Sequence, residues 1–178
     1  NREVVASQRG EALFQMGVSF QLDQSGYEHQ EAMPEVPGPD ELPTLAEVVE
    51  RNRDAFPGDT ANWAANPRAI DMRHVKTPSY LGGPISDGPN YAWFRADGAL
   101  GDDPVLHQAL LAYATDMSFN DNALRPHGRE GALGSQSMAS LDHSLWLHQP
   151  ARADDWLLFV QESPRAGDGG CASARNVN

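Results

Sequence analysis

Cysteine is nearly missing from this chain: Cys171 is the only one in 178 residues, which excludes an internal disulfide. That scarcity fits a reducing compartment such as the cytoplasm. Cations are scarce as well. Thirteen Lys and Arg face 25 Asp and Glu, leaving a net charge of −12 that argues against general nucleic-acid affinity. The same field repels phosphorylated ligands on average, so any such ligand needs a local basic patch. No apolar run approaches the roughly 20 residues that span a bilayer, and no membrane insertion is expected. What is present is a 40% hydrophobic content, enough to furnish the core of one domain or one and a half.

Along the chain, REVVASQRGEALFQMGVSF predicts two strands joined by a turn at Gln8 to Glu11. Four prolines between Glu31 and Pro43 predict an extended surface linker. LAEVVERNRDAF at 45–56 reads as a short amphipathic helix, 57–68 as a loop and AIDMRHV at 69–75 as a strand. GGPISDGPN at 82–90 is turn material before a strand YAWFRA at 91–96, and the chain's last dozen residues begin something like a strand.

The stretch DPVLHQALLAYATD at 103–116 carries the first chemical signal. Asp103 and Pro104 ahead of an apolar run predict an N-cap followed by proline at the first helical position. Val105, Ala109, Ala112 and Asp116 are spaced to share one helical face, while Leu106, Leu110, Leu111 and Ala114 fill others. A helix apolar nearly all round predicts one enclosed by protein. Asp116 then stands out, because a carboxylate at a helix C-terminus opposes the macrodipole and, if half-buried, needs donors. The plainer reading keeps Asp116 as the first residue of a polar loop, MSFNDN.

The second signal is MASLDHSLWLH at 138–148, whose alternation predicts a strand. A period of two puts Met138, Ser140, Asp142, Ser144, Trp146 and His148 on one face and mostly apolar residues on the other.

Blocks FQMGVSFQ, GYEHQ and MPEVPGPDEL at 14–42, WFRADGALGDDPVLHQALLAYATD at 93–116, ALRPHG at 123–128 and MASLDHSLWLHQPARADDWLLF at 138–159 together resemble, in order, the acyl-CoA thioesterase II (TesB-like) family. The LDHS-x-W-x-H and ADDWLL blocks are the most specific of them. The resemblance implies an α+β chain of hotdog fold, an antiparallel sheet wrapped around a long central helix, in an incomplete tandem of two units. Residues 1–30 would be the last hairpin of the first unit, 31–68 a linker with a short helix, and 69–178 the second unit without its final strands. It further implies hydrolysis of medium- or long-chain acyl-CoA, with no cofactor, by a water that an Asp, a Ser or Thr and a Gln hold. Asp116 matches the acid and Ser140 the hydroxyl; no residue of the chain matches the Gln. A dimer or tetramer is expected from the family and from unpaired sheet edges.

Two alternatives stand beside this. The phrase DDPVLH superficially resembles the motif of hotdog enoyl-CoA hydratases, although its acid and histidine are out of place. A non-catalytic hotdog that binds acyl-CoA or serves assembly is the other, because Gln149, Ala151 and GGCASAR depart from the family's pattern. Candidates to meet the phosphates of CoA are Arg95, Arg125, Arg129 and Arg152. His107 reads as a hydrogen-bonded structural histidine, Asp142 as a brace, and Trp146 and Trp156 as core groups. His143 and His148 lack the companions of a zinc site.

Overall fold

The computed structural model describes all residues except 23, 54–65, 67, 128–138, 168–172 and 178, and of 173–177 the backbone alone. It is an α+β structure of antiparallel sheets and helices, dividing into two units, Asn1–Ala32 and Met33–Asn178.

The first unit is a hairpin of β1 (Arg2–Gln8) and β2 (Glu11–Val18). Arg9 and Gly10 turn the chain at φ 55° and 85°, the left-handed pair that matches the twist of two-residue hairpins. The register slips between Ala6 and Ser7, a bulge that leaves Leu13 unopposed.

The second unit is built on a sheet of β3 (Ile70–His74), β4 (Asn90–Ala96), β5 (Leu157–Glu162) and β6 (Ser173–Val177), in that order and antiparallel throughout. Among the described residues its α-helices are α1 (Leu45–Arg51), α2 (Pro104–Thr115) and α3 (Phe119–Leu124), the last followed by a 3-10 turn at Arg125–His127. α1 starts where Thr44 and Glu47 cap each other's backbone N–H groups, at 3.2 and 2.8 Å. Asp103 caps α2 through Val105 N at 2.9 Å, with Pro104 at the first helical position as the sequence predicts.

Alternation along β4 is strict: Asn90, Ala92, Phe94 and Ala96 are buried, and Tyr91, Trp93 and Arg95 only partly so. The buried set pairs with Ile70 and Met72 of β3 and with Leu157, Phe159 and Gln161 of β5 on one sheet face. Leu111 and Ala114 of α2 close over its apolar part, where Phe94 and Phe159 meet edge to face at 5.9 Å. Each large apolar side chain so buried contributes about 1.5–3 kcal/mol.

Three expectations need correction. α2 is not enclosed: His107, Leu111, Ala114 and Thr115 are buried, while Val105, Leu106 and Tyr113 are exposed, because only one sheet face covers it. The stripe from Val105 to Asp116 is thus its outer side. Met117 and Ser118 are irregular as the loop reading has it, but residues 119–122 belong to α3, since Asp116 keeps right-handed helical angles and lets the chain resume. Within 138–148, Met138 lies outside the described residues, and 139–148 is irregular and exposed. A strand exists only with a ladder partner, and among the described residues 139–148 has none, so its alternation has no sheet to settle on.

The proline-rich stretch is fastened to the sheet. Arg73 donates to the carbonyls of Pro39 and Leu42, both at 3.3 Å, and Trp93 Nε1 donates to Pro37 O at 2.9 Å.

Candidate active site

The two sequence signals meet at the C-terminus of α2. Ser140 Oγ donates to Asp116 Oδ1 at 2.6 Å, across 24 residues, and both side chains are exposed. That length is typical of a hydroxyl bonded to a charged carboxylate. One residue earlier, Thr115 Oγ1 donates to the carbonyls of Leu111 at 2.9 Å and Ala112 at 3.2 Å, and lies 3.3 Å from His143 Nε2.

Beneath this corner the core face of the sheet turns polar. Gln161, fully buried on β5, donates through Nε2 to Ser118 Oγ and accepts from Asn90 Nδ2 at 3.2 Å. One turn on, Asp121 is buried and accepts Ser79 N at 2.7 Å, Ser79 Oγ at 2.6 Å and Arg125 Nη2 at 2.5 Å. These bonds fasten the chain after Asp116 to the sheet and to the turn at Ser79–Leu81. His74 sits at the same end of β3; its ring is half-buried by area, but Nδ1 is out of reach of solvent. Burial pushes its pKa down to about 4, with the Arg125 charge adding to that and Asp121 opposing it. Burial, and then Asp121, pushes Tyr80 up to about 12.

A cavity of about 240 Å³ opens beside α1 and β3, lined by Leu45, Ile70, Met72, His74, Tyr80, Met117 and other residues. Met117 and Ser118 follow Asp116 directly in the chain, but neither Asp116 nor Ser140 is part of this lining.

Three of the four arginines proposed for phosphate contact are already engaged. Arg125 is buried against Asp121; Arg152 bonds Asp102 at 2.9 Å and Asp154 at 3.0 Å; Arg95 stacks on Trp156, 4.4 Å from the ring centre, and is 3.9 Å from Asp71. Arg129 lies outside the described residues. Trp156 is half-buried between Arg95 and Arg73 and Trp146 is exposed, so neither tryptophan is the core group expected. Trp146 belongs to the segment that no sheet of the described residues covers. His107 is structural: Nδ1 accepts from Ala153 N at 3.0 Å and Nε2 therefore donates to Gly101 O at 2.9 Å. That tautomer is neutral, so the 3.8 Å approach of Asp154 is not an ion pair. Asp154 itself is held down to about 2, first by the Leu100 N–H and then by Arg152.

Among the described residues no group of His, Cys, Asp and Glu is arranged to hold a metal ion. No helix of the described residues is long and apolar enough to cross a membrane.

Sequence reasoning missed the buried network of Asn90, Ser118, Gln161, Asp121 and Ser79. The only signal was a polar residue at each end of an otherwise alternating pattern, at Asn90 on β4 and Gln161 on β5. In sequence such residues look like ordinary strand termini.

Residues 60–172 match the profile of the acyl-CoA thioesterase family, and the chain belongs to that family. It is similar to acyl-coenzyme A thioesterase 8 of Homo sapiens, 37% identical over 93% of this chain, and to that of Mus musculus, 34% identical over the same share. Acyl-CoA thioesterase 2 of Haemophilus influenzae is 28% identical over 93%. The chain spans about half the length of these curated relatives, 54% for the first two and 58% for the bacterial one. Among solved structures, an acyl-CoA thioesterase II from Mycobacterium marinum superposes with a TM-score of 0.68 at 35% identity, over 97% of this chain and 63% of that one.

Proposed function

We propose that the protein containing this chain hydrolyses medium- or long-chain acyl-CoA to free fatty acid and CoA, with Asp116 as general base and Ser140 as positioner of the attacking water. The observation that carries this reading is the 2.6 Å bond between Ser140 and Asp116 in a chain of the thioesterase family. Because Ser140 spends its proton on Oδ1, its lone pairs are left to accept, as are those of Oδ2. A water can then donate one hydrogen to each and direct its own lone pair at the thioester carbon.

Asp116 takes the water's proton as the C–O bond forms, and the tetrahedral intermediate collapses with cleavage of C–S. The CoA thiolate leaves and recovers that proton from Asp116. A thioester carbonyl is electrophilic enough for this without a Ser-His-Asp relay, and no histidine contacts Ser140 Oγ. The family's third polar group, a Gln, has no match in the chain; Gln161 is committed to Ser118 and Asn90.

The same reading takes the fold as hotdog, with 1–30 the end of one unit, 31–68 the linker and 69–178 a second unit that pairs with other copies. Cytoplasmic location, or peroxisomal in a eukaryote, goes with it.

Asp116→Asn keeps the shape and removes the base, so CoA release by the full-length protein should fall about 10²–10⁴-fold with little change in KM. Wild-type turnover in that variant overturns the reading. Acyl-CoA affinity without turnover in the unaltered protein would identify a binder instead. Consumption of an enoyl-CoA without thiol release would identify a hydratase.

A further inference from the structure

Segment 139–148 has no strand partner among the described residues, yet it meets the end of α2 at two successive residues. Ser140 bonds Asp116, and His143 lies against Thr115. Two nearer carbonyls set the direction of the second contact. Thr115 has a single hydroxyl proton, and the carbonyls of Leu111 and Ala112 are nearer to its oxygen than His143 is, so the proton goes to them, as with hydroxyls near helix ends generally. Toward His143 the oxygen can therefore only accept, so Nε2 carries the hydrogen. At 3.3 Å the bond is long, so its value lies in orientation rather than strength. Thr115 is buried and fixed by its helix, whereas Ser140 and Asp116 are both exposed, and an exposed pair loses its geometry easily.

We propose that His143 is a positioning residue: by donating from Nε2 to Thr115 Oγ1 it anchors segment 139–148 to the end of α2 and sets Ser140 beside Asp116. This rests on the hydrolase reading above. His143 touches neither substrate nor Asp116 in this role, and a displacement near 1 Å of a water-positioning hydroxyl costs up to about 100-fold in rate.

The test uses the full-length protein and three variants. His143→Leu should lower kcat about 10- to 100-fold with KM nearly constant. His143→Gln, which keeps an N–H donor, should recover most of that loss. Thr115→Val, of the same shape without the hydroxyl, should match His143→Leu, with thermal melting used to show that each variant is folded. In an Asp116→Asn background His143→Leu should add little, because Ser140 then has no base to serve. Equal activity of His143→Leu and wild type overturns the proposal. So does loss in His143→Gln as deep as in His143→Leu together with a changed pH profile, which would make His143 a proton carrier.

Nitrogen NMR of the imidazole decides the anchor apart from catalysis: Nε2 should be protonated in the unaltered protein, and that preference should vanish in Thr115→Val. If Asp116→Asn retains full activity, the hydrolase reading fails while this spectrum still reports on the anchor. A Nδ1-protonated His143, or one indifferent to Thr115→Val, sinks the anchor itself.

Discussion

At Gly83 a single hydrogen atom in place of a side chain is a structural requirement. A Cβ there would stand 1.8 Å from Thr77 O and 2.7 Å from Pro78 O, while Gly83 N–H bonds Pro78 O at 2.9 Å. Both obstacles are backbone, so Gly83→Ala forces the turn at 77–83 to shift. A loss of about 1–3 kcal/mol is expected, read as a lower urea midpoint with unchanged slope; an unchanged midpoint would show that the approach is not that close. Ser140 is the contrasting residue, exposed and light in packing. Ser140→Ala should leave stability within about 0.5 kcal/mol and reduce turnover less than Asp116→Asn does, since it removes a holder of the water and not its base. Stability and kinetics measured on the same samples check both halves.

Among the elements, α3 is held by charge and the sheet by apolar packing. Asp121 joins α3 to the turn at Ser79–Leu81, and Arg125, 2% exposed, depends on it for its ion pair. Asp121→Ala strands that guanidinium in the interior and should cost about 3–5 kcal/mol, whereas Ser79→Ala removes one hydroxyl bond and should cost about 1 kcal/mol. Chemical denaturation distinguishes the two, and equal losses would mean that the ion pair contributes nothing of its own. Replacing both partners, Asp121→Leu with Arg125→Met, should recover much of the loss, because no charge is then left unpaired. Segment 139–148 is the opposite case. It alternates as a strand would, but backbone donors and acceptors make a strand only when another edge takes them.

For the whole molecule, His74 and Asp154 tie stability to pH in separate windows. His74 has a folded pKa near 4, below the ordinary 6.5, so the unfolded chain binds a proton that the folded one refuses. Stability is therefore full above about pH 6.5 and declines as pH falls toward 4, by at most about 3 kcal/mol. Asp154, held near 2, is a depressed carboxylate: its contribution is present above the ordinary carboxylate range and is lost as pH falls through 2. Urea midpoints measured from pH 8 to pH 4 should fall in the unaltered protein and stay nearly level in His74→Gln. A parallel fall in both would remove His74 from the account.

Local chemistry was enough for several elements. An Asp-Pro pair makes a helix start at Pro104 because proline's missing N–H costs nothing there, and β-rich alternation makes Asn90–Ala96 a half-covered strand in most surroundings. The Gln8–Glu11 hairpin turn was legible for the same reason, and Asp116 and Ser140 stood out through the motifs that carry them. Which side of α2 faces inward was not legible, since a helix apolar all round offers several stripes and only the position of the sheet selects one. Nor was the polar network beneath Asp116, whose partners lie 42, 43 and 71 residues apart. Sequence alone determined the local elements and the two groups that carry the proposed chemistry. Tertiary structure decided that those groups touch, and what lies under them, because contacts between distant residues follow from the packing of whole faces and from no short stretch of chain.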